Sequence, residues 1–128
     1  MTASASASES ASADWTAGEP RLLAQRCTEG HTWYLPRMRC PECSAAVHVF
    51  EPSGTGTVFA QTSLHRRVAS VDGSAKEAIG IALVDLDEGV RMMARCRPGT
   101  AIGSRVRVSI AFDEGSQRLL PQCEEIAP

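Results

Sequence analysis

The sequence predicts an all-β protein, and three observations lead to that prediction. Short runs of β-branched and aromatic residues recur from Leu22 onward, separated by clusters of Gly, Pro and Asp. No convincing amphipathic helical pattern lies between these runs. Three of the five cysteines crowd residues 27–43, at spacings typical of a metal-binding hairpin. The chain is therefore expected to fold as a small cysteine-rich module followed by a small barrel.

Residues 1–18 are expected to form a disordered tail. They are mostly Ser, Ala, Thr and Glu, with almost nothing large to bury. They lack the basic start and apolar run of a signal peptide, and no segment approaches the roughly 20 apolar residues of a membrane span. We therefore expect a cytoplasmic protein that makes no membrane contact. Trp15 is unusual in such a tail and is interpreted as either a docking anchor or a remnant.

Residues 19–52 are predicted to form a zinc ribbon, in which two hairpin turns bring metal ligands together. Pro36 is expected to end the return strand of the first hairpin, and Pro41 suits the second turn because its φ is fixed. Three short strands are expected in this module: Leu22–Arg26, Thr32–Leu35 and Ala46–Phe50.

The candidate metal ligands are one intact pair and one altered pair. Cys40 and Cys43 form a C-x2-C turn, whereas the first turn offers Cys27 followed by His31 four residues later. Together they make a Cys3His set, which structural zinc accepts. The alternative is that His31 is a surface histidine and the site has lapsed. A redox iron site prefers four thiolates, and a closed zinc site leaves no open position for catalysis, so structural Zn2+ is expected.

Residues 53–126 are predicted to form a barrel of the oligonucleotide/oligosaccharide-binding (OB) type. The breaker cluster Glu51–Gly56 marks the module boundary. A closed barrel removes the open edges that so small a sheet would expose, and an SH3-like barrel is the alternative. Residues 65–76 are expected to be a polar loop, and Gly89 is expected to take a positive φ in a hairpin turn. Four or five strands are expected, from the runs Thr57–Leu64, Ala78–Leu86, Val90–Cys96, Arg105–Phe112 and Arg118–Cys123.

Composition and residue spacing weigh against several classes of function. A formal net charge of −2 and a pI near 5.9 argue against a nucleic-acid-binding protein, which usually carries a basic excess. An odd number of cysteines without an export signal argues against a disulfide framework, so Cys96 and Cys123 are interpreted as buried small hydrophobic residues. His48 and His65 have no partner at an interpretable spacing, and no catalytic residue is assigned. The acidic residues 85, 87 and 88 are interpreted as a solvated turn.

The ordered span of the chain resembles one known family over residues 21–126. These are small acyl-CoA-associated proteins with a rubredoxin-like zinc ribbon followed by an OB-fold, known as domain of unknown function thirty-five. Each motif is weak alone, and the order and spacing of all of them carry the resemblance. The motifs are Gln25–Cys27, Tyr34–Arg37, Cys40–Cys43, Gly54–Val58, Ile81–Val90 and Ile102–Gly103.

The resemblance implies an accessory role without catalysis of its own. Family members are similar to small subunits of thiolase-like enzymes, including acetyltransferases and acetoacetyl-CoA thiolase complexes. Others partner steroid side-chain aldolases or MaoC-type hydratases, and the partner supplies the catalytic residues. This chain departs from the family in the first turn, where His31 stands in place of a second cysteine.

Several arginines and aromatic residues are candidate contacts with CoA or with a partner enzyme. Guanidinium groups suit phosphates because their paired donors match phosphate oxygens. The alternative is that these arginines are solvated or form ion pairs at an interface, and that the aromatic residues fill the core between the two modules. The candidates are Arg37, Arg39, Arg66, Arg67, Trp33 and Tyr34.

Two other functional classes compete with the accessory role. One is a single-stranded nucleic-acid-binding barrel with a structural zinc ribbon, whose binding would fall steeply with salt. The other is an enzyme that uses a cleft of the barrel, which would show turnover by the purified chain.

Overall fold

The computed structural model describes residues 13–67 and 76–126, with backbone alone for residues 66, 67, 76 and 77. Within these ranges the chain forms a 3-10 turn and eight strands, which agrees with the predicted all-β class. No helix in the described ranges has the length and apolar character that a membrane crossing requires. The turn is Trp15–Ala17, and the strands are β1 (Ala24–Cys27), β2 (Thr32–Trp33), β3 (Val47–Phe50), β4 (Thr55–Arg67), β5 (Lys76–Leu86), β6 (Arg91–Cys96), β7 (Arg105–Asp113) and β8 (Arg118–Glu125).

The first three strands form an antiparallel sheet in the order β2-β1-β3. β1 is central, with Gln25 paired to Trp33 on one side and to Val49 on the other. This sheet places Cys27, the last residue of β1, at the start of the first turn. The sheet is the scaffold of the predicted ribbon.

The remaining strands close into a barrel in the order β4-β5-β6-β8-β7. Neighbouring strands are antiparallel except at the β6–β8 seam, where a parallel pair joins Arg95 to Gln122. Pairing of residues 55–57 with residues 105–107 brings β4 against β7 and closes the barrel. The predicted OB-type barrel is confirmed, and it has five strands.

The long β4–β5 hairpin differs from the prediction of a polar loop over residues 65–76. β4 continues to Arg67 and β5 begins at Lys76, and the two strands stay in register between Ala60 and Arg67. Strand pairing is a backbone interaction, so it persists where side chains are polar and exposed. Residues 68–75 lie outside the described part of the chain.

The ribbon and the barrel share one hydrophobic core. Leu22 and Ala24 of the ribbon segment are buried in the same cluster as Val84, Met92 and Val106 of the barrel. Removing this apolar surface from water stabilises both modules at once. The two modules are therefore held together by packing as well as by the chain that links them.

Residues 13–18 differ from the disordered tail expected there. Asp14 caps the 3-10 turn, and Gly18 ends it at a φ of 89°. Trp15 donates a 2.7 Å hydrogen bond from Nε1 to the hydroxyl of Tyr34. Tyr34 lies 19 residues further along the chain, so the local composition could not predict this contact. Residues 1–12, the rest of the predicted tail, lie outside the described residues.

Candidate metal centre and adjoining groove

The first ligand turn is a tight loop between β1 and β2. The backbone N–H of Cys27 donates to the carbonyl of His31 at 2.9 Å, and that of Gly30 donates to the carbonyl of Cys27 at 3.0 Å. Gly30 has a φ of 94°, in the left-handed region that glycine tolerates best. The loop therefore turns His31 back toward the sulfur of Cys27.

The second ligand turn follows Cys40. The N–H of Ser44 donates to the carbonyl of Cys40 at 2.9 Å, and the N–H of Cys40 donates to the carbonyl of Ala45 at 3.1 Å. Ser44 adopts a φ of 63°, which reverses the chain immediately after Cys43. Cys40 is buried and Cys43 is exposed, so the centre lies at the surface of the ribbon.

The ligand atoms of Cys27, His31, Cys40 and Cys43 all lie within 4.8 Å of one another. The Sγ of Cys27 is 3.4 Å from Nδ1 of His31 and 3.7 Å from the Sγ of Cys43. The Sγ of Cys40 is 3.6 Å from the same imidazole nitrogen. In a tetrahedron with zinc–ligand bonds of about 2.0–2.3 Å, these separations are about 3.5 Å for N···S and about 3.8 Å for S···S. The four side chains fit a tetrahedral zinc ion.

Backbone donors around the sulfurs favour the charged form of the ligands. Burial raises the pKa of the Cys27 thiol, but hydrogen bonds from the backbone of His31 and Glu29 and from the side chains of His31 and Cys43 together outweigh it and bring the pKa to about 6. At Cys43 the N–H of Ala45 lowers the pKa, but burial and the neighbouring thiols raise it to about 11. Crowded thiols cannot all ionise without a compensating cation, and a dication supplies that compensation.

The imidazole of His31 has the Cys27 sulfur on one side and a carboxylate on the other. Its hydrogen bond with the Cys27 sulfur raises the pKa of His31, although desolvation opposes the effect. Its other nitrogen, Nε2, lies 3.9 Å from a carboxylate oxygen of Glu42. A carboxylate behind a ligating histidine orients the ring and increases its basicity. The geometry thus places Nδ1 of His31 as the fourth candidate ligand.

An apolar groove of about 840 Å3 adjoins the metal centre, between the ribbon and the outer face of the barrel. Trp33, Tyr34 and Leu35 form one wall on the ribbon side. The outward-facing side chains of Ile81 and Leu83 lie on the barrel side, together with Met93. The groove joins the two modules along one continuous surface.

The groove brings together only some of the predicted contact residues. Trp33, Tyr34 and Arg37 line it, whereas Arg39 is exposed outside it. The side chains of Arg66 and Arg67 lie outside the described part of the structure. The predicted core-filling role of Trp33 and Tyr34 holds in part, since Tyr34 packs against the buried cluster.

Sequence reasoning missed the barrel side of the groove. β5 reads as a nearly continuous apolar run, Ile79–Leu86, in which alternate residues face the barrel interior and the groove. A strand that is apolar on both faces must be covered on both faces or bind something. The apolar residues on both faces of β5 were the sequence signal from which the groove could have been predicted. Trp15 was singled out in the sequence as a docking anchor or a remnant, but its contact with Tyr34 was not predicted, because the two residues lie 19 positions apart.

The acidic cluster interpreted as a solvated turn is partly exposed, and two of its three carboxylates also pair with arginines. Arg91 donates to Asp85 at 2.6 Å, and Arg105 donates to Asp87 at 2.8 Å. The Arg105 guanidinium, together with Thr55, lowers the pKa of Asp87 to about 2. These carboxylates therefore serve to tie β4, β7 and the β5–β6 turn together.

Family comparisons match both modules. Residues 15–49 match the model described as "ChsH2, rubredoxin-like zinc ribbon domain". Residues 51–111 match "ChsH2, C-terminal OB-fold domain". Together the two matches cover about three quarters of the chain. A search of curated proteins gives no match.

Among solved structures, one similar chain is described as "Ltp2-ChsH2(DUF35) aldolase". It shares 25% sequence identity with this chain and superposes with a TM-score of 0.65. The match covers 82% of this chain and 84% of the other. The similarity therefore extends over the ribbon and the barrel together.

Proposed function

Because the chain belongs to the family that combines a ChsH2-type rubredoxin-like zinc ribbon with a C-terminal OB-fold, we propose that it is a non-catalytic accessory subunit of an acyl-CoA-processing enzyme. The similar structure is described as an Ltp2-ChsH2 aldolase, which supports a partnership of this kind. A thiolase-like enzyme is the proposed partner, with an aldolase or a MaoC-type hydratase as the other candidates. The proposed location is the cytoplasm.

The proposed cofactor is one structural zinc ion held by Cys27, His31, Cys40 and Cys43. Zinc supplies folding energy in such sites by tying two turns together. In this proposal the protein side chains hold the ribbon hairpin against the barrel and so set the position of Trp33 and Tyr34. No catalytic step is assigned to the ion, because four protein ligands leave no open position.

The single observation that carries the proposal is the apolar groove beside the metal centre. Leu35 and Met93 both line it and are 61% and 59% exposed. Met38, on the loop between the two ligand turns, is 95% exposed. An exposed apolar surface of this kind is typical of a protein–protein contact. We assign it to the partner enzyme.

Arg37 lines the groove, and Arg39 follows Met38 on the exposed loop outside it; neither guanidinium forms an ion pair within the described part of the chain. In the proposal they contact either a phosphate of an acyl-CoA bound to the partner or acidic side chains of the partner itself. Arg66 and Arg67 are kept as further candidates.

Co-purification tests the proposal. A chain tagged at its C-terminus is purified from the native host at moderate salt, and mass spectrometry identifies the bound proteins. We expect one acyl-CoA enzyme at a fixed ratio. Leu35→Asp and Met93→Asp should each weaken recovery at least about tenfold, since a charge in a docking surface costs about 2 kcal/mol.

Ile102→Asp is the matched control, because Ile102 is 67% exposed but lies outside the groove. It should leave recovery unchanged. Nucleic acid in place of an enzyme, or equal losses in all three variants, would contradict the proposal. Turnover of acyl-CoA by the isolated chain would contradict its non-catalytic part.

A further inference from the structure

The two cysteines outside the ribbon meet at one end of the barrel. Cys96 is the last residue of β6, and Cys123 lies in β8. The parallel pair between Arg95 and Gln122 puts the next residue of each strand, Cys96 and Cys123, side by side. Both side chains belong to the same part of the barrel, since Cys96 packs against the buried cluster that contains Cys123.

Gly80 on β5 provides the space for this pair. It is the cross-strand partner of Cys96, and a Cβ at Gly80 would lie 2.9 Å from the Sγ of Cys96. Three adjacent strands thus present a glycine, a thiol and a second thiol in a row. The missing side chain leaves the space that the backbone and sulfur of Cys96 occupy.

The spacing suits a disulfide. Neighbouring strands lie about 4.8 Å apart, and disulfides form across Cα separations of about 4.4–6.8 Å. Residues at equivalent positions on adjacent strands point to the same face, and both thiols belong to the interior of the barrel. Reduced Cys96 and Cys123 are therefore placed to bond without unfolding of either strand.

The two thiols also differ in access. Both line a cleft of about 580 Å3 at this end of the barrel. Cys96 is half-buried, whereas Cys123 is only 5% exposed. Burial, reinforced by the neighbouring Cys96, raises the pKa of the Cys123 thiol to about 11. A small reagent in the cleft therefore reaches Cys96 first, and Cys123 is the second thiol to react.

We propose that Cys96 and Cys123 form a reversible disulfide site, which low-molecular-weight disulfides oxidise. The Cys96 thiolate attacks one sulfur of the reagent and releases one thiol, leaving a mixed disulfide on Cys96. Cys123 then loses its proton and attacks the sulfur of Cys96, releasing the second thiol. The protein dithiol loses two electrons and two protons, and the reagent disulfide gains both.

The new bond joins the weakest seam of the barrel. Among the described residues a single pair connects β6 to β8, whereas eight pairs connect β7 to β8. An ion pair of 2.9 Å between Arg95 of β6 and Asp113 of β7 lies beside this seam but does not join β6 to β8 directly. A covalent bond here limits separation of β6 and β8 and so stabilises the closed barrel.

The test uses the full chain loaded with zinc, which protects the ribbon thiols. The chain is equilibrated in glutathione buffers of increasing oxidised fraction, and free thiols are then blocked with an alkylating reagent. We expect peptide mapping to find one cross-linked peptide containing Cys96 and Cys123. The thermal midpoint of the oxidised chain should be higher than that of the reduced chain, and a reducing agent should reverse the shift.

Cys96→Ala and Cys123→Ala are the variants that test the assignment. Cys96→Ala should acquire neither the cross-link nor a persistent glutathione adduct, while Cys123→Ala should retain glutathione on Cys96. Circular dichroism of each variant checks that it has folded. The peptide map of the wild-type chain tests the cross-link even if a variant fails to fold. A mixed disulfide on Cys96 that never resolves onto Cys123, or oxidation confined to the ribbon cysteines, would overturn the proposal.

Discussion

At His31 the chain offers an imidazole one residue later than a C-x2-C turn would place its second sulfur. The structure shows how the longer turn still works. Gly30 reverses the backbone at positive φ, and the Nδ1 atom of His31 then lies within 3.6 Å of two different sulfurs. One residue of extra length is compensated by a ligand atom that sits on a longer side chain.

The wild-type chain should carry about one zinc per molecule, and His31→Ala should lower zinc affinity at least about 100-fold, because loss of a direct ligand exceeds the effect of losing a second-layer contact. His31→Cys should retain the metal. Metal content by mass spectrometry and competition with a chromophoric chelator measure both. Full zinc retention in His31→Ala would show that histidine is not a ligand.

At the scale of single elements, the ribbon has little to hold it together besides its ligands. Its strands have four, two and four residues. Their pairing alone is marginal in water, since so small a sheet needs further support. Support comes from the two ligand turns and from packing of Tyr34 and Leu22 on the barrel.

Metal removal should therefore loosen the ribbon and, through the shared core, lower the stability of the whole chain. The two tryptophans of the chain, Trp15 and Trp33, both line the groove on the ribbon side. We expect a strong chelator to shift tryptophan emission to longer wavelength and to lower the thermal midpoint, while zinc restores both. Unchanged emission and an unchanged midpoint in a chain shown to have lost its metal would contradict a structural role for zinc.

At the scale of the whole molecule, one core couples the ribbon to the barrel. Leu22 precedes the ribbon sheet, yet it is 7% exposed and packs in the buried cluster of the barrel. Coupled modules of this kind unfold together, because neither keeps its apolar surface covered without the other. The apolar groove lies on the outer surface where the ribbon and the barrel meet.

Leu22→Ala should accordingly destabilise the entire chain. We expect a loss of about 2–4 kcal/mol in the free energy of unfolding, the usual cost of a cavity at a buried leucine. Unfolding in urea, followed by both tryptophan emission and circular dichroism, should give one shared transition. Leu35→Ala is the control, because exposed Leu35 should change stability little. Separate transitions for the two signals would show that the modules are independent.

The sequence by itself determined the class of fold, most of the strands and the four candidate zinc ligands. These follow from local patterns: alternation along Arg105–Phe112, breakers at residues 51–56, and the spacing of Cys40 and Cys43. Such patterns act over a few residues, so they are readable before the chain folds. The pairing of the polar ends of β4 and β5 was the exception. Backbone hydrogen bonds hold these ends together, and they do not depend on the type of side chain.

Only the tertiary structure decided which distant residues meet. It placed Trp15 on Tyr34, set the exposed face of β5 beside the ribbon to make the groove, and put Cys96 next to Cys123. It also paired Asp87 with Arg105. Each of these contacts depends on the order in which strands become neighbours. That order is fixed by closure of the barrel and by the shared core, and no local pattern in the chain specifies it.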